Sequence, residues 1–296
     1  MSYVIVKTSQ HGTNNPIVAR LSVQSQQLME PFSLSEEKKR KLWAILHDKV
    51  QQQLLSCYDI WTQVASRETE IVAKVEKNGI QTQAHGRVAT IDQIENLNYL
   101  SGSFLYSAKS TLRDIKLMIC EFYETDPDIK KVEKKDFGYF ERWAKKRFGE
   151  TDEFTKLISE DFKVWIGEIY KKRNAVEHPG GYSGHLEIFN FTAAQEPGTK
   201  KWKGVFPRWR RNQDQPSSIT KDMRVTIENL LNFSEDVLAL CLRKAGSMLP
   251  LVFYEIPEES RDPECPIRLR VTLDQEKLKS QQVNSGDGKE LGGLKD

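Results

Sequence analysis

The stretch "YKKRNAVEHPGG", residues 170–181, decides how this chain is read. It joins a helical pattern to a Pro-Gly-Gly break. Plotted at about 100° per residue, residues 151–178 carry an apolar stripe of Phe154, Leu157, Ile158, Phe162, Trp165, Ile166, Ile169 and Tyr170. Arg173 falls between Phe162 and Ile166, inside that stripe. A guanidinium taken out of water without a partner is costly. Arg173 therefore requires a carboxylate, an open groove or an anionic ligand. Asn174 lies on the stripe's edge. Pro179 biases His178 away from α geometry, so the helix should end between Ala175 and Glu177. His178 then sits on the outgoing turn, folded back towards Arg173, and Gly180 and Gly181 leave the following backbone uncrowded. A purely structural reading stands beside this one: an arginine near a helix C-terminus also suits the helix dipole, and Glu168 or Glu177 can pair with it.

On either side of this helix the pattern is mainly helical. Ser33 and Glu36 form a capping box ahead of a long helix reaching about residue 77. Thr90 and Gln93 form a second box ahead of a helix ending near Tyr123. In that helix Ser101 and Ala108 share a packing face with Leu97, Phe104, Leu112, Ile115 and Ile119. A short helix is expected over 136–148, and a last one from Ser217 to about Lys244. "HLEIFNFTA" and "KWKGVFPRW" flank the turn "EPGT" as a β-hairpin, and "LPLVFYEI" and "PIRLRVTL" read as a further strand pair. "YVIVKT" near the N-terminus reads as a short strand. The charge run "DIKKVEKKD", residues 128–136, reads as a solvated linker.

The expected organisation is a 1–32 strand and loop segment, then a 33–248 helical domain with a 185–212 hairpin insert. A 249–274 strand pair and a disordered 275–296 tail, rich in Gln, Gly and Lys, complete it. The fold class expected is mainly α, an up-and-down bundle of long helices.

The chain has 296 residues and a net charge of +2, so any polyanion partner must be recognised by a local patch. No apolar run approaches the roughly 18 residues of a membrane span, and the N-terminal residues lack a signal-peptide pattern. Cys57, Cys120, Cys241 and Cys265 are widely spaced, as reduced thiols in a cytoplasmic protein would be. His11, His47, His85 and His185 are isolated and have no metal-ligand spacing, so no metal or other cofactor is expected.

The segment Arg173-Asn174-Ala175-Val176-Glu177-His178 resembles the R-x(4–6)-H motif of the HEPN superfamily, the nucleotide-binding domain of higher eukaryotes and prokaryotes. The resemblance covers roughly residues 33–245, in the order of helices and the placement of the motif at a helix end. It implies a helical bundle and a metal-independent endoribonuclease, with Arg173, Asn174 and His178 catalytic. Arg173 would hold the phosphate, His178 would transfer protons, and Asn174 would orient one or the other. Glu177 is a candidate for tuning His178. The 2′-hydroxyl of RNA is the nucleophile, and the products are a 2′,3′-cyclic phosphate and a 5′-hydroxyl. The resemblance also implies a homodimer that brings two motifs into one cleft, and a toxin or phage-defence role restrained by an antitoxin or other regulatory partner. The alternative is a non-catalytic HEPN-like module that binds a nucleotide, RNA or a protein.

One other stretch points to RNA. "KKWKGVFPRWRR", residues 200–211, interleaves Lys200, Lys201, Lys203, Arg208, Arg210 and Arg211 with Trp202, Phe206 and Trp209. Cations alternating with stacking platforms suit single-stranded nucleic acid, so Lys200, Lys201, Trp202, Lys203, Arg208, Trp209, Arg210 and Arg211 are the candidate contacts. The plainer reading is a solvated hairpin whose aromatics pack inwards while its cations reach water.

Overall fold

A computed structural model describes residues 10–83, 88–199 and 201–276. The expected N-terminal strand, most of the expected disordered tail, His85 and Lys200 lie outside the described residues. The protein is mainly helical, with small antiparallel strand pairs. Its contacts divide it into two units, one of residues 1–44 with 235–296 and one of residues 45–234.

The helices are α1 (16–29), α2 (36–78), α3 (Leu97–Phe122), α4 (Ile129–Glu133), α5 (Phe137–Phe148), α6 (153–177) and α7 (Ile219–Ala245). The strands are β1 (Gln81–Gln83), β2 (Val88–Thr90), β3 (Leu186–Phe189), β4 (Thr192–Gln195), β5 (Trp202–Val205), β6 (Arg208–Arg211), β7 (Ser217–Ser218), β8 (Leu251–Glu255) and β9 (Leu269–Leu273).

Both expected capping boxes are corrected. The hydroxyl of Ser35, not Ser33, accepts from the amide of Lys38 and starts α2. Thr90 belongs to β2, and Gln93 donates its side-chain amide to the Phe191 carbonyl instead of capping α3. The α3 helix starts at Leu97, after Asn96 in left-handed geometry (φ 56°). Asparagine and aspartate cap three further helices: Asn15 accepts from the amide of Ile17 at 2.9 Å, and Asp136 from that of Tyr139 and Asp152 from that of Phe154 at 3.0 Å each. Residues 128–136 are not a plain linker, because α4 buries Ile129 and Val132.

In the larger unit α2 and α3 pack along each other, and α3 also packs on α6. The predicted face of α3 (Leu97, Ser101, Phe104, Ala108, Leu112, Ile115 and Ile119) is buried. Beside it Phe137, Phe140, Trp143, Phe154 and Phe233 form an aromatic core of edge-on and stacked rings. The helix α6 is interrupted by a π turn at Phe162–Ile166. Gly167 fits that turn, since a Cβ there would lie 2.9 Å from the Phe162 carbonyl oxygen. A π turn adds the equivalent of one residue to the helical count. It shifts the phase that a uniform wheel assigns beyond residue 166, and Arg173 lines an open groove.

The hairpin insert forms a two-part ribbon. The β3 and β6 strands pair from Leu186 with Arg211 to Phe189 with Arg208, and β4 and β5 pair from Thr192 with Val205 to Gln195 with Trp202. Asp222, in the first turn of α7, ties this ribbon to the motif helix. It accepts from Lys172 Nζ of α6 at 3.0 Å, Trp209 Nε1 of β6 at 2.6 Å and Ser217 Oγ of β7 at 2.5 Å.

In the smaller unit β8 and β9 pair antiparallel from Leu251 with Leu273 to Glu255 with Leu269. Its buried centre is charged. Glu235 is paired with Arg20 and with Arg268, and the side-chain oxygen of Gln24 accepts from the amides of Arg268 and Leu269. Removing one member of such a cluster would leave an unpaired buried charge.

Burial pushes the Asp222 carboxyl up, but its hydrogen bonds to Ser217 and Trp209 and the charge of Lys172 outweigh it, so its pKa lies below the usual value. A depressed carboxylate stabilises the fold above its unfolded pKa of about 3.9 and loses that contribution as pH falls through the folded value. Asp222→Asn should therefore cost about 1.5–3 kcal/mol at neutral pH. Urea denaturation should show the gap to wild type narrowing at about pH 3; an equal gap at both pH values would contradict this role.

Candidate nucleic-acid groove

The motif helix ends as its sequence predicts. The last helical residue of α6 is Glu177, and His178 leaves helical geometry at φ −129°, ψ 68° while its amide still bonds to the Asn174 carbonyl. Arg173 is largely buried, with 16% of its side chain exposed, whereas His178 is 76% exposed. The two are joined through one atom. Oε2 of Glu177 pairs with the Arg173 guanidinium and lies 3.8 Å from His178 Nε2. Arg173, Glu177 and His178 thus form a connected row on the helix end.

Arg173 and Asn174 line an open groove of about 550 Å³ between α3, the end of α4 and α6. His178 does not line it. The α3 wall carries Tyr106, Lys109, Arg113 and Lys116, spaced three, four and three residues apart, so they stand on one helical face. The loop after α4 adds Lys134 and Lys135. Six cationic residues line it with two carboxylates, Glu133 and Asp136; Asp114 pairs with Arg113 and Glu177 with Arg173 from outside the lining, so the excess of positive charge is two.

Three of these cations, Lys109, Lys116 and Arg173, are short of water. Burial lowers the pKa of Lys109, and the charge of Arg173 lowers it further. Burial likewise lowers Lys116, only 4% of which is exposed, and Arg173. Lys116 Nζ donates to the Lys135 carbonyl, and Lys109 Nζ donates to Asn174 Oδ1 at 3.1 Å while lying 5.2 Å from the centre of the Tyr170 ring. Asn174 therefore orients a lysine of the groove, not His178. The Nε atom of Arg173 is buried and has no hydrogen-bond partner. Burial, helped by Asp136, pushes the Tyr170 hydroxyl up to about 12, so it stays a neutral donor. An anion in the groove would offset the mutual repulsion of these cations and pair with their donors.

The 201–211 ribbon is less available than its sequence suggests. Trp209 is 2% exposed and its indole is committed to Asp222, so it cannot stack on a base; it is the ribbon's anchor. The Nε of Arg210 bonds to Glu187 at 2.8 Å, and Arg211 pairs with Asp214 at 3.0 Å. Lys201, Lys203 and Arg208 are exposed and Trp202 is partly exposed, with Arg208 lying over the Phe189 ring at 5.6 Å. The alternation of the strand explains the split, since it turns Trp209 and Arg211 inwards and Arg208 and Arg210 outwards.

Tyr106, Lys109, Arg113 and Lys116 were not among the residues that sequence reasoning singled out, and Lys134 and Lys135 were read only as part of the solvated charge run 128–136. For α3 the signal was polar residues at helical spacing along a helix whose other face is buried. Among known proteins, no family model, no curated protein and no solved structure matches the chain.

The exposed Lys134 and Lys135 provide a test that spares the core. Lys134→Ala with Lys135→Ala should weaken binding of a labelled single-stranded RNA. The slope of log affinity against log salt should become shallower by about 1.4, at about 0.7 per lost phosphate contact. Arg210→Ala should change neither; a larger effect at Arg210 would move the contact surface to the ribbon.

Proposed function

We propose that this protein is a HEPN-like, metal-independent endoribonuclease acting on single-stranded RNA. One observation carries the proposal: Arg173 lines a cationic groove and is linked through Glu177 to an exposed histidine at the end of the same helix. The groove offers Lys109, Lys116 and Arg173 to phosphate oxygens, and the face of Tyr106, itself largely exposed, to a base. Arg173 remains charged at every relevant pH and can stabilise the charge that builds on the phosphorane.

Cleavage starts when a base removes the 2′-hydroxyl proton. The 2′-oxygen attacks phosphorus, the bond from phosphorus to the 5′-oxygen breaks, and an acid protonates that oxygen. RNA supplies the nucleophile, so the protein needs proton transfer and charge stabilisation alone. His178 supplies one transfer. A homodimer with two motifs facing one cleft would supply a second histidine.

A second reading is favoured by a specific observation. His178 does not line the groove, and Glu177 already neutralises part of the Arg173 charge. A HEPN-like module that binds RNA without cutting it fits that arrangement. Among the described residues, no helix is long and apolar enough to cross a membrane.

Single-turnover cleavage of an end-labelled RNA pool in EDTA separates the two readings. Wild type should leave 2′,3′-cyclic phosphate ends, while Arg173→Ala and His178→Ala should each be slower by about 10²-fold or more at unchanged melting temperature. Binding without cleavage by wild type would establish the module instead.

A further inference from the structure

The loop that follows the motif brings a second histidine back to the turn that the first begins. Gly180 donates its amide to the Gly184 carbonyl at 3.1 Å, Gly181 donates to the His178 carbonyl at 2.9 Å, and Gly181 and Gly184 form an antiparallel bridge. The chain therefore reverses within a few residues. His178 stands at the entry of the turn and His185 at its exit. A Cβ on Gly180 would lie 3.3 Å from Nε2 of His185, so this ring rests on the turn that His178 begins. A Cβ on Gly181 would lie 3.5 Å from Cβ of His178. The His185 ring thus rests against Gly180, and the His178 backbone lies beside Gly181.

His185 is also held in place. Its amide donates to Asn212 Oδ1 at 2.9 Å, and its carbonyl accepts from the Asn212 amide at 3.0 Å. Asn212 itself adopts left-handed geometry at φ 52°, and its side chain fills the space that a Cβ on Gly184 would need. Both backbone groups of His185 are fixed by one residue while its ring remains exposed. Isolated in sequence, seven residues past His178, it has a different standing once the turn is closed.

We infer that His185 is the second proton-transfer group of the ribonuclease, working with His178 of the same chain. The inference rests on the ribonuclease reading above. One histidine takes the 2′-hydroxyl proton as the 2′-oxygen bonds to phosphorus. The other gives its proton to the 5′-oxygen as the phosphorus–oxygen bond breaks. The pair ends with its protonation exchanged, and water resets it.

The experiment compares wild type, His178→Ala, His185→Ala and His185→Gln on RNA with a natural scissile linkage and on the same RNA with a 5′-bridging sulfur. A thiolate leaves without protonation, so loss of the general acid is rescued there and loss of the base is not. On natural RNA both His185 variants should be slower by about 10²-fold or more. On the sulfur substrate, one of His178→Ala and His185→Ala should recover to within about tenfold of wild type, and the other should not. Melting curves of the His185 variants should match wild type, and the glutamine variant controls for ring packing. If wild type cleaves and His178→Ala does not, but the His185 variants cleave at the wild-type rate, the inference is overturned and the ribonuclease reading stands. The same holds if slow His185 variants show lowered melting or if neither alanine variant is rescued. If wild type does not cleave at all, the ribonuclease reading itself fails, and the inference with it.

Discussion

Asp222 holds three elements at one carboxylate. Lys172 comes from the motif helix, Trp209 from the ribbon and Ser217 from the short strand before α7. Each donor alone would contribute little in water. Gathered on a half-buried carboxylate they fix the end of α6 against the start of α7. Arg173 is the next residue after Lys172, and the ribbon begins directly after the loop that carries His185. The positions of all the proposed functional groups in the motif therefore follow from this anchor. The same carboxylate explains why a tryptophan in a strongly basic stretch is buried.

The groove shows a different balance. Folding places Lys109, Lys116 and Arg173 where water is scarce and positive charge is concentrated, and burial lowers the pKa of all three. An arrangement made only for stability would surround its cations with carboxylates, as Glu235 and Asp236 do for Arg20 and Arg268 in the smaller unit. Here the compensation is partial. Glu177 answers Arg173 on one side, while the Nε atom of Arg173 remains unpartnered. Local cost at fixed geometry is a common feature of binding and catalytic sites, although structural ion networks can show it as well.

Much of this was legible from residue order. The period near 3.6 located the long helices, and the pre-proline rule placed the end of α6 at Glu177 with His178 beyond it. The hairpin insert and the C-terminal strand pair followed from alternation and turn residues. What was not legible has physical reasons. The π turn at Phe162–Ile166 depends on the helix path around the aromatic core, and it changes the phase beyond it. The caps at Ser35 and Asn96 compete with neighbouring residues of similar propensity. The helix 16–29 was missed because its polar residues, among them Arg20 and Gln24, are buried in a charged cluster that no periodicity reveals. The groove needed three separate segments to meet, and the commitment of Trp209, Arg210 and Arg211 to Asp222, Glu187 and Asp214 depends on pairings distant in sequence.

The central claim is that the cationic groove beside Arg173 is where RNA lies. Photo-crosslinking of a 4-thiouridine-substituted RNA, followed by mass mapping of the attached peptides, tests it directly on the full chain. The account predicts adducts on the α3 and α6 walls, at or beside Tyr106 and Tyr170, competed away by unlabelled RNA and lost at high salt. Adducts confined to the ribbon around Trp202 and Phe206, or none above an unsubstituted control, would contradict it.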